Sequence, residues 1–397
     1  MSEHVESHPL RGVRVVPPVY STVEPGAVAR ALWQSLADGT RAADDLRAVL
    51  ARDFAADHVD LTDSGTSALV LALRAATAGG VHGTVAMPAY ACIDIIAAAR
   101  HAGVRVRLYD LDPLTLAPDR DSLKRVLHRG VDAVVVVHLF GYPVDVPAVV
   151  ALCAEFGASV IEDAAQGAAG RFLQTPLGGF GPMSVLSFGR GKGITGGGGG
   201  AFLRRAPARA PAQRTLPVRP SVGVRALAAV GAQWLLARPA VYGLPARIPS
   251  LHLGEMVYHE AHEPRPISTA VAMLARNALA RAAADAAARR ALAERLLAAV
   301  ASADTVEPIR PITGAEPGYL RLPVLLRQPR AAASWLGILR PYPIGLWEHP
   351  EARNCLHREQ GELRGATELR DRLVTLPVHE RVAERDVQQI EAWLRDR

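Results

Sequence analysis

The chain has 397 residues, 49% hydrophobic and 21% charged, which leaves room for a large buried core in more than one compact domain and excludes global disorder. A net charge of +6, without Lys/Arg clusters interleaved with aromatics, argues against a nucleic-acid partner and leaves a mild attraction for anionic small molecules. Cys92, Cys153 and Cys355 are scattered and odd in number, so they frame neither disulfides nor a metal site, and a reduced, cytoplasmic setting is expected.

The first dozen residues are polar and carry Glu3 and Glu6, unlike a secretory leader. A Ser/Gly/Thr turn, Asp63 to Ala68, leads into a predicted helix over Thr66 to Ala78. Strand-like and helix-like patterns then alternate. Strands are predicted over Val85 to Met87 (ending at Pro88), Val104 to Tyr109, Ala133 to Leu139, Ala158 to Ile161 and Ser184 to Phe188. Helices are predicted over Ile93 to His101, Arg120 to His128 and Val146 to Phe156. Continuous apolar strands separated by helices imply an α/β fold, a largely parallel sheet covered on both faces with its ligand at the carboxyl ends of the strands. Five glycines, Gly196 to Gly200, precede a strand at Ala201 to Leu203.

From Arg204 to Pro220 the chain is rich in Arg and Pro without an acid, reading as an extended connection or an anion-binding patch. The apolar stretch Val222 to Leu253 reads as a helical hairpin, a partner surface or a membrane-surface segment, with burial against its own or a sister chain the plainest reading; its longest apolar run is too short to span a bilayer. Ser268 to Ala303, without Gly or Pro, predicts one long helix. Beyond it, a strand at Leu320 to Leu326 and helices at Ala331 to Leu339 and Glu384 to Arg395 predict a small α+β domain. The expected division is 1–268, with an insertion at about 204–266, and 269–397.

Three segments carry residues suited to chemistry. Ser64, Gly65 and Thr66 at a helix start can bind an anion through backbone N–H groups and the helix dipole, or simply cap the helix. Asp163, at the end of a strand, can face a flat cofactor, or serve as a cap or in an ion pair. Ser187-Phe188-Gly189-Arg190-Gly191-Lys192 sets a lysine among glycines beside an arginine, a setting that favours the neutral amine a Schiff base requires. The alternative is a solvated surface lysine, but Lys124 and Lys192 are the chain's only lysines.

The succession of Ser-Gly-Thr-Ser-Ala-Leu, Pro-Ala-Tyr, Glu-Asp-Ala-Ala-Gln and Ser-Phe-x-x-x-Lys with its glycine run resembles the DegT/DnrJ/StrS nucleotide-sugar aminotransferases, fold-type-I enzymes that use pyridoxal 5′-phosphate (PLP). Val137 to Pro143 and Leu376 to His379 extend the likeness. The resemblance implies that Lys192 carries PLP as a Schiff base and moves the substrate proton. It implies that Asp163 holds the pyridine nitrogen and Gln166 lies near the phenolic oxygen. It places Ser64, Gly65, Thr66 and Ser187 at the phosphate. Where the family sets an aromatic over the ring, this chain has Cys92, with Tyr90 as a candidate substitute. Gly198 takes the place of a family glutamate, and the family's Gly-x-Asn-x-Arg segment is missing.

The expected function is therefore amino transfer from an amino acid, glutamate in the first instance, to a keto group on a sugar nucleotide or related intermediate. The small molecules are the expected partners, and the family implies a homodimer. Another PLP reaction (decarboxylation, elimination or C–C bond formation) and a non-catalytic regulatory role remain as alternatives.

Overall fold

Short apolar strands alternating with helices build the larger part of the molecule. The computed structural model describes residues 14–22, 24–37, 41–77, 83–167, 169–205, 224–243, 245–248 and 257–396. Two helices come first, α1 (Pro25–Ala37) and α2 (Arg41–Asp53), then β1 (His58–Thr62) and α3 (Gly65–Ala76). The alternation runs on through β2 (Thr84–Pro88), α4 (Asp94–Ala102), β3 (Arg105–Tyr109), α5 (Arg120–His128), β4 (Ala133–Val137), α6 (Val146–Glu155) and β5 (Ser159–Asp163). A small hairpin, β6 (Arg171–Phe172) and β7 (Thr175–Pro176), precedes β8 (Met183–Ser187) and β9 (Gly200–Arg204).

Seven of these strands form one sheet in the order β1-β9-β8-β5-β4-β2-β3. Only β9 opposes the common direction, pairing antiparallel with β1 and β8. The central parallel strands are buried on both faces, which is why β4 reads Ala-Val-Val-Val-Val with every residue buried. Local signals bound the helices. Asp119 and Asp145 accept from the N–H groups of Ser122 and Ala148 to cap α5 and α6, and Gly103 ends α4 at φ 74°.

The second half begins with α7 (Val224–Leu236) and α8 (Pro239–Tyr242) and continues through the 33-residue α9 (Thr269–Ala301). The early turns of α9 pack Val271, Ala272 and Ala275 against Leu61 and Leu203 of the large sheet. Its later turns pack Ala293, Leu296 and Val300 in the core shared with the C-terminal strands, so the helix serves both halves. The rest comprises β10 (Val306–Pro308), β11 (Ala315–Glu316), β12 (Leu322–Leu326), α10 (Arg364–Arg372), β13 (Leu373–Leu376) and α11 (Glu384–Arg395). β10, β12 and β13 form an antiparallel three-stranded sheet, and β11 joins the β6–β7 hairpin.

The helix expected over Ala331 to Leu339 is a single 3-10 turn, Ser334–Leu336. The backbone there is claimed by neighbours: Trp335 O accepts from Val16 N–H, and Leu339 exchanges hydrogen bonds with Thr375 at the edge of the small sheet. Gly337 turns the chain at φ 74°, where a Cβ would lie 3.0 Å from Val16 O. Of the Arg/Pro-rich connection, residues 206–220 lie outside the described residues, while Arg204 ends β9 in a buried pair with Asp60. In the apolar stretch that follows, α7 packs Val230 against Ala27, Ala31 and Leu274 of α1 and α9. Among the described residues no helix is long and apolar enough to cross a membrane.

Candidate active site

The carboxyl ends of β5 and β8 and the start of α3 meet at one edge of the large sheet, around two adjoining cavities. The inner one, about 200 Å³, is lined by Ser64, Gly65, Thr66, Cys92, Asp94, Asp163, Gln166, Ser187 and Lys192, among others. Cys92, Asp94, Gln166 and Lys192 also line the outer one, about 530 Å³, which Phe140, Arg190, Tyr242, Arg321 and Tyr342 help to wall. The structure thus gathers every residue singled out in the sequence except Tyr90.

At one end, Ser64 caps α3: its Oγ accepts from Ser67 N–H at 3.0 Å. Two glycines make this corner possible. A Cβ on Gly65 would lie 2.6 Å from Ser187 Cβ, and one on Gly200 would lie 2.6 Å from Ser64 O. The glycine run closes back on it, with Gly199 N–H donating to Asp63 O at 2.9 Å, and φ of 77°, 156° and 86° at Gly197, Gly198 and Gly199. Backbone conformation and close approach therefore both call for glycine here.

Across the cavity, Asp163 ends β5 and is buried. Burial raises its carboxyl pKa, partly offset by the N–H of Ala165, which donates to Oδ1 at 2.9 Å, and by the charge of Lys192. No described residue donates to Oδ2. Lys192 sits in the loop after β8. Gly191 (φ 72°) lets that loop approach Val19, and Gly193 N–H donates to Ser21 Oγ at 3.2 Å, so the N-terminal segment holds it.

Gln166 is locked from both sides: Phe140 N–H donates to its Oε1 at 3.0 Å, and its Nε2 donates to Tyr342 OH at 2.7 Å. Phe140 adopts φ 55°, an unfavourable conformation for an aromatic residue, and its ring stacks on Tyr342. Tyr90 lies behind the wall. It is fully buried, edge-on to Tyr342 at 5.1 Å, and lines neither cavity, because the turn after Pro88 sends it into the core and leaves Cys92 at the surface of the cavity. Burial, reinforced by Asp94, pushes the Cys92 thiol up to about 12, so it stays protonated at neutral pH.

His138 is structural: its Nδ1 accepts from Val144 N–H at 3.1 Å and its Nε2 faces Glu162 at 3.0 Å. Sequence reasoning missed Asp94, Phe140, Tyr342, Arg321 and the lip at Pro17 to Tyr20. Asp94 and Phe140 stood inside segments already read as a helix and a strand-end motif. Nothing local marks the others, which reach the cavity only through long-range folding.

A family model for the DegT/DnrJ/EryC1/StrS aminotransferases matches residues 27–233, half of the chain and the whole of the inner cavity. The chain belongs to this family. One relative, the dTDP-4-dehydro-2,3,6-trideoxy-D-glucose 4-aminotransferase of Saccharopolyspora spinosa, is 31% identical over 204 residues. That alignment covers 50% of this chain and 52% of the relative, so the chain spans about half the length of the curated protein it matches. The aminotransferase TlmJ from Streptoalloteichus hindustanus superimposes with a TM-score of 0.72 at 21% identity, over 96% of this chain and 98% of its own. An E. coli GDP-4-keto-6-deoxy-D-mannose-3-dehydratase structure with bound hydrated PLP gives 0.70 at 14% identity, over 96% and 100%. The mostly parallel α/β architecture is thus the fold-type-I architecture of this family.

Proposed function

We propose that the chain is a PLP-dependent aminotransferase that moves an amino group from an amino acid, glutamate in the first instance, to a keto group of a sugar nucleotide or related biosynthetic intermediate. One observation carries the reading: a buried carboxylate with an oxygen left open, Asp163, shares a small cavity with Lys192 and with the N-terminus of α3. Burial alone disfavours the charge on Asp163. A protonated ring nitrogen at Oδ2 would restore it, so the residues present fit PLP. The helix start at Ser64 to Thr66, with Ser187, fits its phosphate. Gln166, already held by Phe140 and Tyr342, has an N–H left for the phenolic oxygen.

When bound, PLP supplies the electron sink for a carbanion at the substrate Cα. The chain's own groups do the rest. Asp163 would hold the ring nitrogen in its protonated form, and the Lys192 amine would hold the cofactor and carry the proton removed from the substrate Cα. The Cys92 thiol, neutral beside the cavity, contributes packing without charge. The family implies a homodimer, and we include that in the proposal.

Adding PLP to the purified chain should give the visible absorbance of a lysine-bound pyridoxal, and borohydride reduction should fix the cofactor's mass on the peptide containing Lys192. Glutamate should then convert the bound cofactor to its amine form and release 2-oxoglutarate. Absence of both the absorbance and the mass would overturn the reading; cofactor binding without amino transfer from any donor would confine it to PLP chemistry of another kind.

A further inference from the structure

We propose that Asp94 is a positioning residue whose carboxylate serves as the counter-charge of the Lys192 nitrogen. The inference rests on the functional reading above, which it deepens.

Among the described residues, the carboxylates lining the two cavities are Asp94 and Asp163. Asp163 lines only the inner one, where it is assigned to the ring nitrogen. Asp94 lines both, and so does Lys192. Asp94 opens α4 in a half-buried position, and the first turn of a helix favours a negative charge. Neither Asp94 nor Lys192 has an ion pair among the described residues, whereas Asp60 is paired with Arg204 and Asp386 with Arg14.

The two charges act on the same neighbours with opposite sign. Burial raises the pKa of the Cys92 thiol and of the Asp163 carboxyl; at both groups Asp94 pushes it further up and Lys192 pulls it down. Asp94 and Lys192 therefore share one partly desolvated space, where an opposite charge favours the ionised form of a group. No other group lining the cavities takes this place. Burial raises the phenols of Tyr242 and Tyr342, Cys92 stays protonated, and Arg190 and Arg321 carry the same sign as Lys192. Tyr20 and His259 complete the ionisable lining of the outer cavity. With Asp163 facing the ring, Asp94 is the negative side chain available to a nitrogen that is cationic twice: while it holds the cofactor, and after it has taken the proton from Cα.

The test compares the parent with Asp94→Asn, which keeps the shape and removes the charge, and with Asp94→Glu, which restores the charge. In the PLP-loaded proteins the visible band of the lysine-bound pyridoxal is followed against pH. Its conversion to the unprotonated form should come about 1–2 pH units lower in Asp94→Asn and return towards the parent in Asp94→Glu. In the unloaded proteins Lys124 and Lys192, the chain's only lysines, are acetylated by a small neutral active ester near pH 8, and the rate at each is read by peptide mass. Asp94→Asn should speed the reaction at Lys192 about 3- to 10-fold, because more of the amine is neutral, and leave Lys124 as it was. A role confined to the start of α4 would lower the unfolding midpoint and move neither readout. An equal conversion pH together with an equal Lys192 rate in the parent and Asp94→Asn would overturn the proposal. Should Asp94→Asn fail to fold, Asp94→Ser takes its place with the same outcomes. A chain that takes up no PLP would sink the aminotransferase reading, and the acetylation rates alone would then decide the role of Asp94.

Discussion

The tightest constraints in this molecule act between single pairs of residues. Gly65 can adjoin Ser187 only because it lacks a Cβ, which would sit 2.6 Å from Ser187 Cβ and 2.8 Å from its Oγ. Gly65→Ala should therefore cost about 1–3 kcal/mol, read as a lower urea midpoint, with most of it recovered in the double variant Gly65→Ala/Ser187→Gly. A single variant as stable as the parent would show that the two elements part easily. Glu162, the residue before Asp163 on β5, is fully buried. Its carboxylate accepts from the backbone N–H groups of Gly178, Phe180 and Gly181, from Ser184 Oγ and from His138. Burial would raise its pKa, but the hydrogen bond and charge of His138 and the backbone donors outweigh it, and the pKa lies below 4.5. A depressed carboxylate pKa stabilises the fold above the unfolded value and loses that contribution as the pH falls through the folded one. Glu162→Gln sets an NH2 group against N–H donors. It should cost about 2–5 kcal/mol at neutral pH and flatten the loss of stability below pH 4.5, both measurable by chemical unfolding across pH.

Elements differ in how far the sequence exposes them. β4, β5 and β8 stand out as apolar runs because both of their faces are covered, and α5 stands out because an Asp cap and an amphipathic pattern agree. The α5 cap offers a test remote from the cavities. Asp119→Ala removes the acceptor for Ser122 N–H (2.7 Å) and should cost about 1 kcal/mol with no change in PLP uptake; an unchanged unfolding midpoint would show the cap to be idle. By contrast α1, α2, β1 and β6, β7 and β11 are not legible from local pattern. The last three are two-residue pairings made by chain closure, and α1 carries an exposed Trp33 that blurs its apolar face. The predicted helix at Ala331 to Leu339 fails for a related reason. Its composition permits a helix, but partners from both ends of the chain take its backbone groups. The cavity follows the same division. Residues placed by a strand end or a helix start, such as Asp163, Ser64 and Lys192, were readable in sequence. Arg321 and Tyr342 owe their place to tertiary packing alone.

At the scale of the whole molecule, a short N-terminal strap links parts that are remote in sequence. Arg14 forms a bidentate pair with Asp386 of α11, and Val15 and Val16 donate to Pro239 O and Trp335 O. His379 donates from Nε2 to Pro17 O at 2.7 Å, and Ser21 accepts from Gly193 beside Lys192. The strap therefore ties the C-terminal region to the loop that carries the candidate catalytic amine. His379 makes this junction sensitive to acid. Burial is the main cause that lowers its pKa from 6.5 to about 4, outweighing the hydrogen bond to Pro17, so the fold requires the neutral ring. Between those two values the unfolded chain binds a proton that the folded chain refuses. Stability should accordingly rise with pH across that window, by up to about 3 kcal/mol from this one group. His379→Gln keeps a donor for Pro17 O and removes the titration. Unfolding midpoints taken between pH 4 and 6.5 should climb steeply in the parent and less in the variant. Parallel slopes in the two proteins would place the acid sensitivity elsewhere and leave the strap with a purely mechanical role.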